Sequence, residues 1–268
     1  LNVAHRYQQV TDWHQRARSL VIEGRAFIDG RYVHAASGLT FDRVSPIDGR
    51  VVAQVASTDV ADVDLAVAAA RRSFESGAWS RQSPRERKRV LLRFAELILE
   101  HRDELALLET LDMGKPISDS LAVDVNSTAR CIAWYAEAID KIYDEVAPTG
   151  HDALALITRE PVGVVAAIVP WNFPLIMAAW KIGPALAAGN SFILKPSEKS
   201  PFTAIRIAEL AARAGIPDGV FNVLPGLGNT AGQALALHMD VDCIGFTGST
   251  RTGKLMLQCS GQSNMKRV

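Results

Sequence analysis

Asn172, Lys195 and Glu198 carry the side chains of this sequence with the most chemical promise. A side-chain amide can donate a hydrogen bond to a developing oxyanion. A lysine and a carboxylate can both hold sugar hydroxyls, and the carboxylate would repel a phosphorylated ribose. The same residues have plainer uses. Asn172 can cap a helix, and Lys195 and Glu198 are spaced to form a surface ion pair. Spacing alone leaves the two readings level.

The elements around them favour a shared location. Residues 162–169 form an apolar, β-branched run that suits a strand buried on both faces of a parallel sheet. Pro170 ends it, and Trp171-Asn172 follow at its carboxyl end. Pro174 opens a helix over residues 175–188, which Gly189-Asn190 closes. A second buried strand, residues 191–194, delivers Lys195 and Glu198 to its own carboxyl end. Ligands of open α/β sheets bind beyond those ends, so the three side chains are expected to share one crevice.

The motifs PWNFPL, WKIGPALAAGN, KPSE, LPGLG and FTGSTRTG, in this order and spacing, resemble the NAD(P)-dependent aldehyde dehydrogenase superfamily. The resemblance runs from about Phe27 to the last residue. LALLETLDMGKPI, WYAEAIDKIYDEVAPT and SNMKRV bring it nearest to the bacterial gamma-glutamyl-aminobutyraldehyde and related aminoaldehyde dehydrogenases.

That resemblance implies a cofactor site, a substrate path and a chemistry. The turn over residues 245–249 joins a strand to a helix whose free N–H groups suit a pyrophosphate. Alone this spacing is weak, since glycines often only make turns. With the resemblance, Phe246, Gly248 and Ser249 become cofactor residues, Ser249 adding a hydroxyl. Gly228 would leave room beside the adenine. Ile168, Trp171 and Lys195 would line the ribose side, and Glu198 would select NAD over NADP. No metal is expected.

Family members oxidise aldehydes through a cysteine thiohemiacetal. The residue matching Asn172 stabilises the oxyanion, hydride passes to the nicotinamide, and a glutamate activates water. Phe173, Met177, Trp180 and Lys181 would line the aldehyde tunnel, with Lys181 near the reacting centre. Core packing explains Met177 and Trp180 equally well. Asp124 matches the tunnel mouth, where a carboxylate would attract a cationic substrate. A lone Asp on a helix ordinarily belongs to a solvated face, and that reading is preferred.

The family's cysteine and glutamate lie beyond the stretch matching residues 263–268, so this chain is expected to lack both and to be inactive alone. The three cysteines present, Cys131, Cys243 and Cys259, read as structural thiols. The competing reading is a non-catalytic nucleotide-binding or interaction module.

The rest of the chain supports an α/β, doubly wound, Rossmann-like parallel sheet with a projecting β-arm, the family's catalytic domain being absent. Residues 1–143 and 162–268 are assigned to the dinucleotide-binding domain, and residues 144–161 to an oligomerisation arm. Residues 1–25 read as an amphipathic helical lead-in, and residues 27–33 as a hairpin about Asp29-Gly30. Residues 40–44 pair with 51–56. Asp59, Ser83 and Asp103 cap successive helices, and residues 117–143 form one long helix. Helices follow over residues 202–214, 230–238 and 250–259, alternating with strands over 220–224 and 243–246. The arm, extended over 146–149 and 153–159, exposes strand edges that a second copy would cover, predicting a dimer or tetramer.

Lysine plus arginine and aspartate plus glutamate both number 29, so the formal net charge is zero. With no basic stripe, nucleic acid is not an expected partner, and no apolar run reaches spanning length. An odd, scattered set of three cysteines suits a reducing compartment, and a cytoplasmic enzyme of a small aldehyde is the expectation. The first residue is Leu, so the numbering is expected to begin inside a longer product.

Overall fold

The computed structural model describes residues 12–268; the part of the expected lead-in helix that falls on residues 1–11 lies outside them. In chain order the elements are α1 (Trp13–Ser19), β1 (Ala26–Ile28), β2 (Arg31–Val33), β3 (Thr40–Val44) and β4 (Val51–Ala56). Three helices follow, α2 (Val60–Ser76), α3 (Pro84–Glu100) and α4 (Arg102–Met113). A short α5 (Ile117–Asp119) runs through a π-turn (Ser120–Asp124) into α6 (Val125–Ala138), and a 3-10 turn (Ile139–Lys141) finishes it. Then come β5 (Glu145–Ala147), β6 (Ala155–Ile157), β7 (Val164–Ile168), α7 (Pro174–Ala187), β8 (Ser191–Lys195), α8 (Phe202–Ala214) and β9 (Phe221–Val223). A second π-turn (Gly228–Gly232) leads into α9 (Gln233–Leu237), then β10 (Cys243–Phe246) and α10 (Thr250–Gln262).

The helix starts follow their chemistry. Asp59 accepts the Ala61 N–H, and Asp62 reaches back to the Asp59 N–H, closing a capping box on α2. Ser83 accepts the Glu86 N–H at the start of α3, with Pro84 in the first turn. For α4 the expected cap is displaced. His101 occupies the cap position and Asp103 lies inside the first turn, because α3 runs almost directly into α4 and leaves no extended residue at 103.

The central sheet has six strands in the order β10-β7-β8-β9-β1-β2. The first four are parallel, as expected. The β1–β2 hairpin adds antiparallel strands at the β9 edge, making the sheet mixed. Asn222, fully buried within β9, ties the hairpin down by accepting the Asp29 N–H at 3.0 Å. Asp29 (φ 53°) and Gly30 (φ 76°) are both left-handed, the geometry of a two-residue hairpin turn.

Successive side chains of these strands face opposite layers. Ala167, Phe192 and Leu194 pack with α3, α6, α7 and α8 in one core. Ala166, Ile168 and Ile193 pack with α2, α9 and α10 in the other. Helices therefore cover both faces, the doubly wound arrangement. The β5–β6 hairpin stands apart as the projecting arm, with Val146, Leu154 and Leu156 exposed. Among the described residues no helix is long and apolar enough to cross a membrane.

Candidate functional site

The winding of the sheet reverses at β7. The chain steps from β7 through β8 to β9, then returns to lay β10 on the other side of β7. That reversal is the topological switch point, where the loops on either side part and leave a crevice. The loops after β7 and β10 leave side by side: the Thr247 N–H donates to the Ile168 carbonyl at 3.1 Å, and the Val169 N–H to the Lys195 carbonyl at 3.2 Å.

Lys195 ends β8 in register with Ile168, and both side chains stand 3.9 Å from where a Gly232 Cβ would sit. Lys195 is only 2% exposed. Its Nζ lies 3.7 Å from Glu198 Oε2, and burial pushes its pKa down to about 8. The plain ion-pair reading is thus half right, since the pair exists but its cation is inside the protein. Half-buried Glu198 offers its carboxylate at the rim. Gly228 opens the π-turn, and a Cβ there would meet nothing within the chain.

Across β7, the turn after β10 is set by close approach. A Gly248 Cβ would stand 2.6 Å from the half-buried Phe246 ring. Ser249 is the cap of α10 and accepts the Thr252 N–H at 3.2 Å. Its oxygen is therefore engaged, which leaves the Thr250 and Arg251 N–H groups as the free donors of the first turn.

Asn172 and Phe173 sit exposed on the turn into α7, and Lys199 Nζ lies 5.9 Å from the Trp171 ring centroid, joining the β7 and β8 loops. Lys181 is half-buried, its stem 3.3 Å from the Cβ position of Gly245, so a bare β10 backbone makes room for it. Met177 packs partly on the core, but Trp180 is 53% exposed and core packing does not explain it.

Ile168, Lys195 and Phe246 belong to the α2–α9–α10 side of the strand ends, with Glu198 reaching back to Lys195. Met177 packs into the core on the α7 side, Lys181 lies along α7, and Phe173 caps that helix. Both groups open at the carboxyl end, and a ligand touching both must lie across the end of β7.

Asp124 overturns its solvated reading. Its side chain is fully buried, because the wide π-turn rotates it inward, and its Oδ2 pairs with Lys115 Nζ at 2.6 Å. Glu109 is fully buried too, with Oε1 3.9 Å from the same ammonium. Burial pushes Glu109 up to about 8 and Asp112, which holds Arg43 at 2.6 Å, up to about 7. Lys115 Nζ lies 4.0 Å from the Phe173 ring centroid. Sequence reading passed over Glu109, Asp112 and Lys115. The available signal was two carboxylates on the apolar stripe of Leu105, Leu108 and Leu111.

Burial raises the thiol pKa of Cys131 and Cys243, and Cys259 is buried on α10. A hollow of about 610 Å³ between α1 and α4 holds the Arg16–Asp103 pair and lies away from the strand ends.

Comparison with known proteins gives concordant results. The model of the aldehyde dehydrogenase family matches residues 32–268. Among curated proteins, the NADP/NAD-dependent aldehyde dehydrogenase PuuC of Escherichia coli is 58% identical over 98% of this chain and 53% of its own length. The aminoacetaldehyde dehydrogenase of Pseudomonas aeruginosa is 54% identical over 94% of this chain and 51% of its own length. Among solved structures, the indole-3-acetaldehyde dehydrogenase AldA of P. syringae, a mutant in complex with NAD+ and IAA, superposes with a TM-score of 0.95 at 66% identity. That match covers 96% of this chain and 52% of AldA. The chain spans about half the length of the relatives it matches.

Proposed function

The chain belongs to the aldehyde dehydrogenase family, and from that premise we propose that it is the NAD-binding, amino-terminal part of an enzyme oxidising an aminoaldehyde to the carboxylic acid. The observation that carries this reading is the pairing of two unlike features at one switch point. Lys195 and Glu198 stand ready for ribose hydroxyls on one side of β7, and the α10 amino terminus stands ready for phosphate on the other. The Glu198 carboxylate accepts from the 2′-hydroxyl and repels a 2′-phosphate, which favours NAD over NADP. Bound NAD supplies the hydride acceptor. Asn172 donates its amide to the oxyanion that forms when the aldehyde carbonyl is attacked.

The attacking thiol is not one of the three present. Cys131 and Cys243 are held as thiols by burial, and Cys259 faces the α10 core. The thiol and the water-activating base belong to sequence outside this chain, which alone neither acylates nor oxidises. The exposed arm strands β5 and β6 suit a homo-oligomer. The choice of an aminoaldehyde rests on the likeness to the aminoacetaldehyde dehydrogenase of P. aeruginosa.

Titration of the 268-residue chain with NAD+ and NADP+, followed by tryptophan fluorescence, tests the reading. Saturable binding that is tighter for NAD+, with the preference lost in Glu198→Gln, is expected. Absence of saturable binding removes the cofactor role. A stoichiometric burst of NADH with an aminoaldehyde would overturn the placement of the thiol outside this chain.

A further inference from the structure

We infer that Lys115 is a positioning residue for the turn carrying Asn172: clamped by Asp124 and Glu109, it holds the Phe173 ring from the inner side. The inference deepens the reading of Asn172 as oxyanion donor and rests on it for its catalytic consequence, though not for its geometry.

The start of α7 needs such support. Phe173 occupies the cap position with no side-chain hydrogen bond, and Pro174 supplies no donor. The first helical bond runs from the Met177 N–H to the Phe173 carbonyl. Phe173 is thus the anchor of the helix and the neighbour of Asn172 at once. Its ring is 40% exposed on one side. On the other, Lys115 Nζ lies 4.0 Å from its centroid, where a desolvated ammonium is attracted to the ring face. Two carboxylates flank the ammonium there. Asp124 Oδ2 holds it at 2.6 Å, Glu109 Oε1 stands at 3.9 Å, and both carboxylates are fully buried.

Glu109 sets the balance. The groups facing it are Asp112 on its own helix, Lys115 from the loop before α5, Asp124 from the π-turn, and the Leu175 N–H in the first turn of α7. Neither of its carboxyl oxygens closes a hydrogen bond. While Glu109 is protonated, Lys115 and Asp124 form a neutral pair and the ammonium stays against the ring. Ionised Glu109 competes for the ammonium and draws it off Phe173. Burial holds that ionisation up near pH 8.

The test is hydrogen–deuterium exchange of the 268-residue chain, read in peptides covering residues 170–177. Lys115→Met alone leaves Asp124 buried and unpaired, so Lys115→Met/Asp124→Asn is the deciding variant. It is expected to melt cooperatively while the segment exchanges about tenfold faster and the rest of the chain is unchanged. Lys115→Arg, which keeps a cation on the ring, should restore protection. In the parent chain the segment should loosen as pH rises through about 8, beyond the base-catalysed rise, and Glu109→Gln should abolish that step. Unchanged exchange in the double variant overturns the inference. So does uniform loosening of the whole chain, failure of Lys115→Arg to restore protection, or a pH step that survives in Glu109→Gln. Loss of NAD+ binding in the parent chain would count against the cofactor reading and leave the exchange result standing.

Discussion

The strand-end turns and the buried charge cluster meet at the turn into α7, where Lys115 lies against the Phe173 ring, and they are built in opposite ways. At the turns each functional group comes from a short local motif: Lys195 and Glu198 from one turn, Gly248 and Ser249 from another. In the cluster, Glu109, Lys115 and Asp124 come from three successive elements, and the ring they hold comes from a fourth. Apart from Lys195, the turns keep their polar groups near water, where loss of one partner is tolerated. The cluster keeps two carboxylates and one ammonium out of water, so burial must settle which of them carries charge. Groups near solvent can be exchanged for binding; groups inside act by holding geometry.

The sharpest way to break this contrast is to strand a charge in the interior. Asp112 is fully buried and accepts from Arg43 Nε at 2.6 Å and the Phe202 N–H at 2.9 Å. Asp112→Ala leaves Arg43 uncompensated and should cost about 3–5 kcal/mol in chemical denaturation. A loss below about 1 kcal/mol would mean that the interior tolerates charge as the surface does.

Lys195 belongs to both regions, buried like the cluster yet at the strand end where we propose the cofactor binds. Lys195→Met should weaken NAD+ binding about tenfold or more in the fluorescence titration while leaving stability equal or higher. Its pKa is lowered from 10.5 to about 8. The folded state therefore holds fewer protons than the unfolded chain between these values. Stability should rise with pH across that window, and NAD+ affinity should fall as Lys195 loses its charge. Two curves moving in the same direction would rule out Lys195 as their source.

Glu109 gives the opposite slope. Its pKa is raised from 4.5 to about 8, so the unfolded chain ionises first and stability is lost as pH rises between them. Glu109→Gln should be about as stable as the parent chain at pH 4.5 and gain progressively as pH rises, by up to about 4 kcal/mol at pH 8. Thermal melts at the two pH values check this; a constant difference would show that Glu109 does not titrate in that window.

The smallest effect on stability is expected at Gly228, where a Cβ meets nothing within the chain. Gly228→Ala should change stability by less than about 0.5 kcal/mol, yet weaken NAD+ binding if the adenine lies against it. Unaltered affinity would remove Gly228 from the cofactor site.

The parts of this molecule legible in sequence were those specified by neighbours along the chain. The parallel strands, the helices opened by Asp59, Ser83 and Pro174, and the hairpin about Asp29-Gly30 all follow from local apolar runs, caps and turns. Asp103 misled because His101, at the junction of α3 and α4, took the cap position. The addition of the β1–β2 hairpin to the main sheet depends on Asn222, nearly two hundred residues away. Asp124 misled for a related reason: a π-turn rotates the helix face by part of a turn, and ordinary helical spacing places that carboxylate outside.

The sequence by itself determined the family, the α/β alternation and the identity of the residues at each strand end, because motifs and turns act over a few neighbouring residues. Only the tertiary structure decided that Lys195 is a buried cation and that Lys115 lies against the Phe173 ring. The physical reason is that charge, desolvation and aromatic contact depend on distance in space, which the chain sets only when its layers close.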